Sequence, residues 1–253
     1  MVVRRYGSRS GACGAAVAVV LAGVGGCSPS AGAAADDQRD AGAVQGAAAA
    51  LVRAGSAKAR TSMEMASGGT RVTIRGTGAY DFRKRMGMLR VVLPQDAAGA
   101  QEHRPITELL APSALYMKNR GAGVPADKWV RVDTRTLSDG NLVTGGATDP
   151  LVAAELLRGA RRVGYVGGEE LDGVRVRHYR GVTAAAKGFA RRDVPFDAYL
   201  DEQGRLRKVR HRFSFVNAGR TVEVASTTVL SGFGVPVAVK LPAAGDIYAG
   251  KIR

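Results

Sequence analysis

Hydrophobic and polar residues alternate over much of the chain after Thr61, which is the pattern of a β-strand with one buried and one solvated face. The turn sequences Asp172-Gly173 and Asn217-Ala218-Gly219 separate several of these segments and are typical of tight hairpins. The pattern predicts a mostly antiparallel sheet of about ten strands. The alternating segments are 71–75, 78–82, 88–93, 114–118, 128–133, 161–167, 174–179, 196–201, 205–216 and 220–230.

Two stretches follow a helical rather than an alternating pattern. Residues 43–59 are rich in residues with high helix propensity, so the sequence predicts a helix there. In the second stretch Asp149 suits an N-cap, Pro150 fits the first turn, and Gly159 suits the C-terminal end. The apolar residues within 151–158 share one side of that helix, which favours packing against a sheet. Helices beside an antiparallel sheet make the predicted fold class α+β.

The N-terminal residues have the outline of a secretion signal. Arg4, Arg5 and Arg9 form a positive start, and the uncharged, mostly apolar run 15–24 follows. A helix of about ten residues is roughly 15 Å long, which is half of the roughly 30 Å hydrocarbon core, so the run is too short to be a permanent membrane span. We therefore expect residues 1–26 to be a signal peptide that is removed.

The segment Val24-Gly25-Gly26-Cys27 resembles the lipobox of bacterial lipoproteins. Its cysteine thiol would take a diacylglyceryl group, and cleavage before Cys27 would free an amine for a further acyl chain. Cys13 leaves with the signal, so the mature chain keeps one thiol and no internal disulfide. We predict a protein lipidated at Cys27 and anchored to the extracytoplasmic face of the cell membrane. The alternative is an ordinary secretory signal cleaved within 31–35, with Cys27 incidental.

The remaining sequence divides into a tether and one domain. Residues 27–46 are mostly Ala, Gly, Ser and Asp, with too few large apolar groups to form a core, so we predict a flexible tether. Residues 47–253 number about 200, which suits a single domain with a sizeable core.

The chain carries a net charge of +15, to which the predicted signal peptide contributes three arginines. This excess favours partners such as anionic lipid head groups or anionic envelope polymers, and export argues against nucleic acid. Cations concentrate between Arg205 and Arg212, and we hypothesise that they form a patch for anionic lipid or a lipoglycan head group. The alternative is an ordinary solvated basic face.

Several segments, in their order along the chain, resemble the LppX/LprA/LprF/LprG group of actinobacterial lipoproteins. The segments are ALYMK at 114–118, KWVRVD at 128–133, GGEELDGV at 167–174 with His178-Tyr179, and DVPFDAYLDEQGRL at 193–206. The likeness extends from Ala48 to Pro242. These lipoproteins share the fold of LolA and LolB, a curved antiparallel half barrel with helices on its concave face. The resemblance implies an apolar cavity between sheet and helices that holds the acyl chains of lipids or lipoglycans.

The predicted function is that of a non-enzymatic carrier or binder of a hydrophobic ligand. Two alternatives stay open: an envelope sensor or regulator that binds a protein partner, and a structural envelope protein with a filled core. Alternation and helix face select eight candidate residues for the cavity lining, and the same residues would also suit a closed core. They are Ile74, Leu89, Val91, Leu115, Met117, Trp129, Val130 and Leu156.

Residue types that carry catalysis or bind metals do not occur at useful spacings. His103, His178 and His211 have no cysteine or carboxylate at metal-ligand spacing, so each is expected on a strand or at the surface. The chain has no Gly-x-Ser-x-Gly elbow and no phosphate-binding loop. We interpret the acid pairs Glu169-Glu170 and Asp201-Glu202 as solvated charges beside turns. The sequence therefore predicts no enzyme, no metal and no cofactor.

Overall fold

Eleven antiparallel strands form one open, curved sheet in the computed structural model, which describes residues 30–94, 104–119, 123–137, 149–185 and 189–250. The alternating sequence accounts for the strands, because each alternating segment buries one side of its strand. The strands are β1 (Ser56–Ser67), β2 (Thr70–Asp81), β3 (Met86–Val92), β4 (Ile106–Ala111), β5 (Ala114–Lys118), β6 (Trp129–Asp133), β7 (Arg161–Leu171), β8 (Val174–Ala184), β9 (Asp193–Leu200), β10 (Leu206–Asn217) and β11 (Arg220–Ser231).

Two meanders meet at the centre of the sheet. The strand order is β6-β5-β4-β3-β2-β1-β11-β10-β9-β8-β7, so strands that follow each other in sequence are neighbours within each half. The pair β1 and β11 joins the halves, with Thr61 opposite Thr228 and Met63 opposite Ser226. The predicted α+β fold with an antiparallel half barrel is confirmed, with eleven strands in the described residues.

Three helices of the described chain pack against the sheet: α1 (Ser30–Gln45), α2 (Ala47–Ala54) and α3 (Pro150–Glu155). The helix α1 contacts β7, whereas α2 and α3 contact each other and β10. Small buried residues such as Ala47 and Ala48 let α2 approach the sheet closely. The guanidinium of Arg83 donates to the carbonyl oxygens of Val52 and Arg53 at 3.2 and 2.8 Å, in the last turn of the helix, where carbonyl groups have few partners within the helix.

The N-terminal elements differ from the predicted ones. The helix predicted over 43–59 ends at Ala54, and residues from Ser56 onward belong to β1. The break is at Gly55, whose φ of +88° a glycine adopts without strain. The helix α1 covers most of the segment predicted as a tether, and Val44 is fully buried, so the folded domain begins before residue 47. Residues 1–29, which include the predicted signal peptide and Cys27, lie outside the described residues.

Two hairpin turns confirm the turn residues read from the sequence. Asp172 and Gly173 have φ values of +50° and +75°, and Ala218 and Gly219 have +47° and +76°. Two successive positive φ angles define the type I′ turn, whose twist matches that of the flanking strands. These turns hold β7 against β8 and β10 against β11 in register.

The C-terminal segment, residues 232–250, crosses the outer face of the β1–β6 half. Near β1, the backbone N–H of Gly234 donates to the carbonyl oxygen of Ser56 at 2.9 Å. At the sheet edge, the N–H of Tyr248 donates to the carbonyl oxygen of Trp129 in β6 at 2.8 Å. The segment therefore covers an edge strand that would otherwise expose unpaired backbone groups.

Strand β4 has no counterpart among the predicted segments. It buries Glu108, Leu109 and Leu110 in succession, so its sequence does not alternate. Leu110 packs into the inner core, whereas its neighbour Leu109 points to the outer face, which the C-terminal segment crosses. Because β4 is covered on both faces of the sheet, its sequence does not alternate between buried and solvated residues.

Candidate ligand-binding face

The concave face of the sheet carries an apolar core where the helices pack against it, and we call this the closed cluster. Large side chains from the strands and from α2 and α3 interdigitate there, and the rings of Tyr80 and Phe82 lie 5.3 Å apart. Their nearly complete burial makes this cluster the main source of hydrophobic stabilisation. The largest members are Leu51, Tyr80, Phe82, Leu89, Leu110, Leu115, Leu151, Leu157, Tyr179 and Phe196.

A second apolar cluster lies on the same face, nearer the hairpin turns at 68–69 and 217–219, and we call it the open cluster. Its buried members are Met63, Val194, Phe213 and Val224. A rim of partly buried apolar side chains packs against them. Half-buried large apolar groups on a concave face form a surface that an apolar ligand would complete. The rim consists of Met65, Ile74, Val152, Leu156, Ala185, Phe189, Phe215 and Val222.

Strand register brings the open cluster together. Met63 of β1 lies opposite Ile74 of β2, and Phe213 of β10 lies opposite Val224 of β11. Because side chains on one face of an antiparallel pair meet across the strands, four neighbouring strands contribute to one surface. The ring of Phe189 stacks on that of Phe213 with centroids 4.4 Å apart, which extends the surface toward the segment before β9.

Between the two clusters runs a line of polar side chains, which we call the polar row: Thr61, His211, Ser226 and Thr228. Thr61 lies opposite Thr228, and Ser226 lies opposite His211, so the row crosses β1, β11 and β10. All four are buried, with exposed fractions of 6%, 1%, 4% and 1% in the order above. The preceding inward residue of β10 belongs to the closed cluster and the following one to the open cluster.

The side chains of the polar row are uncharged near neutral pH. Burial lowers the pKa of His211 to about 4, so its imidazole is uncharged near neutral pH. Within the described residues, Thr61 Oγ1, Thr228 Oγ1 and His211 Nε2 are buried and have no hydrogen-bond partner. Buried polar atoms are usually paired, so three of them side by side are unusual for a structural core.

No protein-family model and no curated protein matches the chain. Among solved structures, lipoprotein LppX of Mycobacterium tuberculosis is similar with a TM-score of 0.51 and 13% identity, over 81% of this chain and 100% of LppX. The chain has an LppX-type fold. LprF of Mycobacterium bovis aligns with a TM-score of 0.40 and 12% identity, over 82% of this chain and 98% of LprF. A LolA superfamily protein of Nitrosomonas europaea aligns with a TM-score of 0.35 and 10% identity, over 78% and 94% of the two chains.

The LppX-type half barrel does not bring the eight predicted cavity residues together. Five of them lie in the closed cluster: Leu89, Val91, Leu115, Met117 and Val130. Ile74 and Leu156 lie in the rim of the open cluster, and Ile74 contacts both clusters. Trp129 is only partly buried at the sheet edge, where the ammonium of Lys118 lies 5.6 Å from its ring centroid. Two of the eight therefore border the accessible apolar surface.

Sequence reasoning missed most of the residues of the open cluster and the polar row. Phe213 and Val224 occupy inward positions of strands that the alternation did predict, whereas Met63 lies on β1, which has no counterpart among the predicted segments. Phe213 and Val224 lie within the predicted segments 205–216 and 220–230, and following the alternation back from 71–75 toward Ser56 would have added Met63. Their apolar character alone could not separate a rim from a core, because that distinction depends on where the helices lie.

The outer face of the LppX-type sheet carries a polar network around Asp197, whose side chain is 5% exposed. Its carboxylate accepts hydrogen bonds from His178 Nε2, Arg180 Nε and Arg212 at 2.9, 3.0 and 2.7 Å. Burial favours the neutral acid, but these donors outweigh it and lower the pKa of Asp197 to about 2. His178 is on a strand, as predicted, and it is buried, with Nδ1 2.8 Å from Glu169 Oε1.

Three of the five arginines and lysines between Arg205 and Arg212 lie beside carboxylates of the sheet. Arg205 pairs with Asp201 at 2.8 Å, Arg212 pairs with Asp197, and Arg210 lies 3.8 Å from Glu64. Asp201 is itself buried, and its carboxylate accepts the backbone N–H groups of Gln203 and Arg205 in the turn after β9. The interpretation of Asp201 as a solvated charge is therefore wrong.

A shallow groove of about 340 Å³ lies on the outer face beside this network. It is lined in part by the arginines Arg71, Arg191, Arg210 and Arg212, with Glu64 and Glu223 among them. The carboxylates reduce the positive charge of the groove. In the described part of the chain, no helix has the length and apolarity needed to cross a membrane, and no group of three or more potential metal ligands occurs.

Proposed function

We propose that the protein is a lipid-anchored envelope lipoprotein that holds acyl chains of a lipid or lipoglycan on its concave face without converting them. The open cluster carries this proposal, because large apolar side chains such as Met65, Phe189 and Phe215 are left partly exposed inside a curved sheet. The LppX-type fold supports it, since LppX is also a lipoprotein. The Val24-Gly25-Gly26-Cys27 sequence supports the anchor.

The proposed carriage needs no bond to be made or broken. Each methylene group that leaves water for an apolar surface gains about 0.8 kcal/mol, so a long acyl chain gains several kcal/mol on the open cluster. A bilayer offers the chain a similar gain, which lets it exchange between membrane and protein. The acyl groups proposed on Cys27 would keep the domain beside the membrane while the exchange takes place.

Substitution in the rim offers a direct test of acyl-chain binding. Val222→Trp places a large ring inside the open cluster, and we expect it to displace a bound chain. Val216→Trp is the matched control. Val216 lies in β10 near the same hairpin turn as Val222 of β11, and it is 63% exposed. Native mass spectrometry after gentle detergent extraction should show bound lipid for the wild type and for Val216→Trp, and much less for Val222→Trp.

Three outcomes would decide against the proposal. A wild-type protein that carries no lipid mass would favour a structural protein with a filled core. Co-purification of one protein and no lipid would favour an envelope regulator that binds a protein partner. Equal lipid retention by Val222→Trp and Val216→Trp, with both variants folded, would exclude the open cluster as the binding surface.

A further inference from the structure

The groove of about 340 Å³ on the outer face lies across the sheet from the open cluster, and we call it the arginine groove. It crosses five neighbouring strands in the order β2-β1-β11-β10-β9. Because neighbouring strands lie about 4.8 Å apart, the groove extends over roughly 19 Å. Arg71 of β2 lies at one end, and Arg191, which precedes β9, lies at the other. The groove therefore has the length for an extended chain rather than for a single anion.

Short and long side chains alternate across the strands and give the arginine groove its shape. Ala66 of β1 lies between Arg71 and Glu223 on the two neighbouring strands. On the far side of Glu223 lies Ser214 of β10. The next row has the same arrangement, with Ala225 of β11 between charged residues of β1 and β10. Short side chains thus form the floor of the groove, and charged side chains form its walls.

Several guanidinium groups of the groove are not used within the protein. Among the described residues, Arg71 and Arg191 have no hydrogen-bond or ion-pair partner. Arg210 Nε is buried without a hydrogen-bond partner, and Glu64 Oε2 lies 3.8 Å from Arg210 Nη2. Guanidinium groups form strong, directed hydrogen bonds with the oxygens of anions. The unused donors therefore favour an anionic ligand.

The carboxylates of Glu64 and Glu223 restrict which anionic ligand fits. They lie between Arg71 and the arginines of β10, so a chain with a negative charge on every unit would be repelled there. A chain whose charges are separated by hydroxyl-bearing units avoids this repulsion, because each hydroxyl group donates to a carboxylate.

We propose that the arginine groove binds an extended polyol polymer joined by phosphodiester groups. Arg71, Arg191 and Arg210 would contact its phosphates, and Glu64 and Glu223 would accept its hydroxyl groups. This site lies on the opposite face of the sheet from the open cluster. It therefore goes beyond the proposed function and does not depend on it.

Fluorescence anisotropy of labelled poly(glycerol phosphate), with the full chain in a nonionic detergent, tests the proposal. We expect Arg71→Gln/Arg191→Gln to weaken binding roughly tenfold and to reduce the slope of log affinity against log salt by about one to two, because two phosphate contacts are lost. Arg90→Gln/Arg131→Gln is the matched control, since it removes the same charge from exposed positions of β3 and β6. This control should bind the polymer as the wild type does.

A variant that fills the groove without a change of charge gives a second test. Ala225→Leu should weaken polymer binding, whereas Val222→Trp should leave it unchanged, because Val222 borders the open cluster. Thermal unfolding of each variant confirms that it is folded. Loss of polymer binding in Val222→Trp would assign the polymer to the concave face and overturn the inference.

Competition experiments separate the polymer from simpler anions. Glycerophosphoglycerol is a single head group, and polyphosphate carries a charge on every unit without hydroxyl groups. Each should compete less well than unlabelled poly(glycerol phosphate) with the same total number of charges. Equally good competition by either compound, or equal losses in the two arginine double variants, would overturn the inference and leave the proposed function intact.

Discussion

His211 occupies an inward position of β10 at which the alternating pattern predicts an apolar side chain. Its exposed fraction is 1%, and burial lowers its pKa from 6.5 to about 4. Between these two values the unfolded chain binds a proton that the folded protein does not bind. Stability therefore falls as the pH decreases from 6.5 toward 4, and it is independent of this group above 6.5.

A pH series of unfolding measurements tests this linkage at His211. The full loss across the window is about 3 kcal/mol, because one pKa unit corresponds to about 1.4 kcal/mol. We expect urea unfolding of the wild type to show a clear loss of stability between about pH 7 and about pH 5. His211→Leu should lose less over the same range. Equal pH slopes for the two proteins would contradict the assignment.

Asp197 on the outer face shows how the burial and charge state of a residue depend on the neighbouring strands. The sequence places Asp197 in an alternating strand, where an outward acid would be expected to be solvated. Arg180, Arg212 and His178 surround it instead, and their hydrogen bonds keep it ionised although it is buried. Three strands supply these donors and the carboxylate, so only the register of the sheet reveals the network.

At the scale of elements, α3 depends on its N-terminal cap. Asp149 Oδ1 accepts the backbone N–H groups of Leu151 and Val152 at 2.8 and 3.2 Å, and Oδ2 accepts the Tyr80 hydroxyl at 3.1 Å. Burial raises the pKa of Asp149 even though these hydrogen bonds favour the ionised form. The cap joins the helix to β2, and so to the core of the sheet.

Removal of this cap should destabilise the protein measurably. We expect Asp149→Ala to lower the free energy of unfolding by about 1 to 2 kcal/mol, since two helix N–H groups lose their acceptor. Tyr80→Phe is a control that removes only the phenolic hydrogen bond and keeps both helix contacts. Urea denaturation of the three proteins measures the difference. Wild-type stability in Asp149→Ala would show that the cap contributes nothing.

Element boundaries show the limits of sequence patterns. The cap residues Asp149 and Gly159 correctly located a helix, and the α-helical part ends at Glu155 because the last turn tightens into a 3-10 helix. The alternation gave β10 and β11 nearly complete. It missed β4, where Leu109 and Leu110 are buried on opposite faces. Periodicity detects a strand only when one of its faces meets water.

For the whole molecule, the prediction with the widest consequence is lipidation at Cys27. We expect labelled palmitate to enter the protein, and Cys27→Ala to abolish both labelling and membrane association. Cys13→Ala is the matched control and should behave like the wild type, because Cys13 lies in the segment predicted to be removed. Cell fractionation with detection of the label measures both effects. A Cys27→Ala protein that stays membrane-bound would refute the anchor.

The sequence by itself determined the antiparallel sheet, the turns such as Asp172-Gly173 and the capped helix, because these depend on local spacing and backbone preference. Together with the ordered family-like segments, it led to the LppX-type half barrel. Only the tertiary structure decided which inward residues are closed off by helices and which, like Met65 and Phe215, remain partly exposed. Burial of His211 was also decided there, since burial is set by the elements that pack over a residue rather than by its place in a pattern.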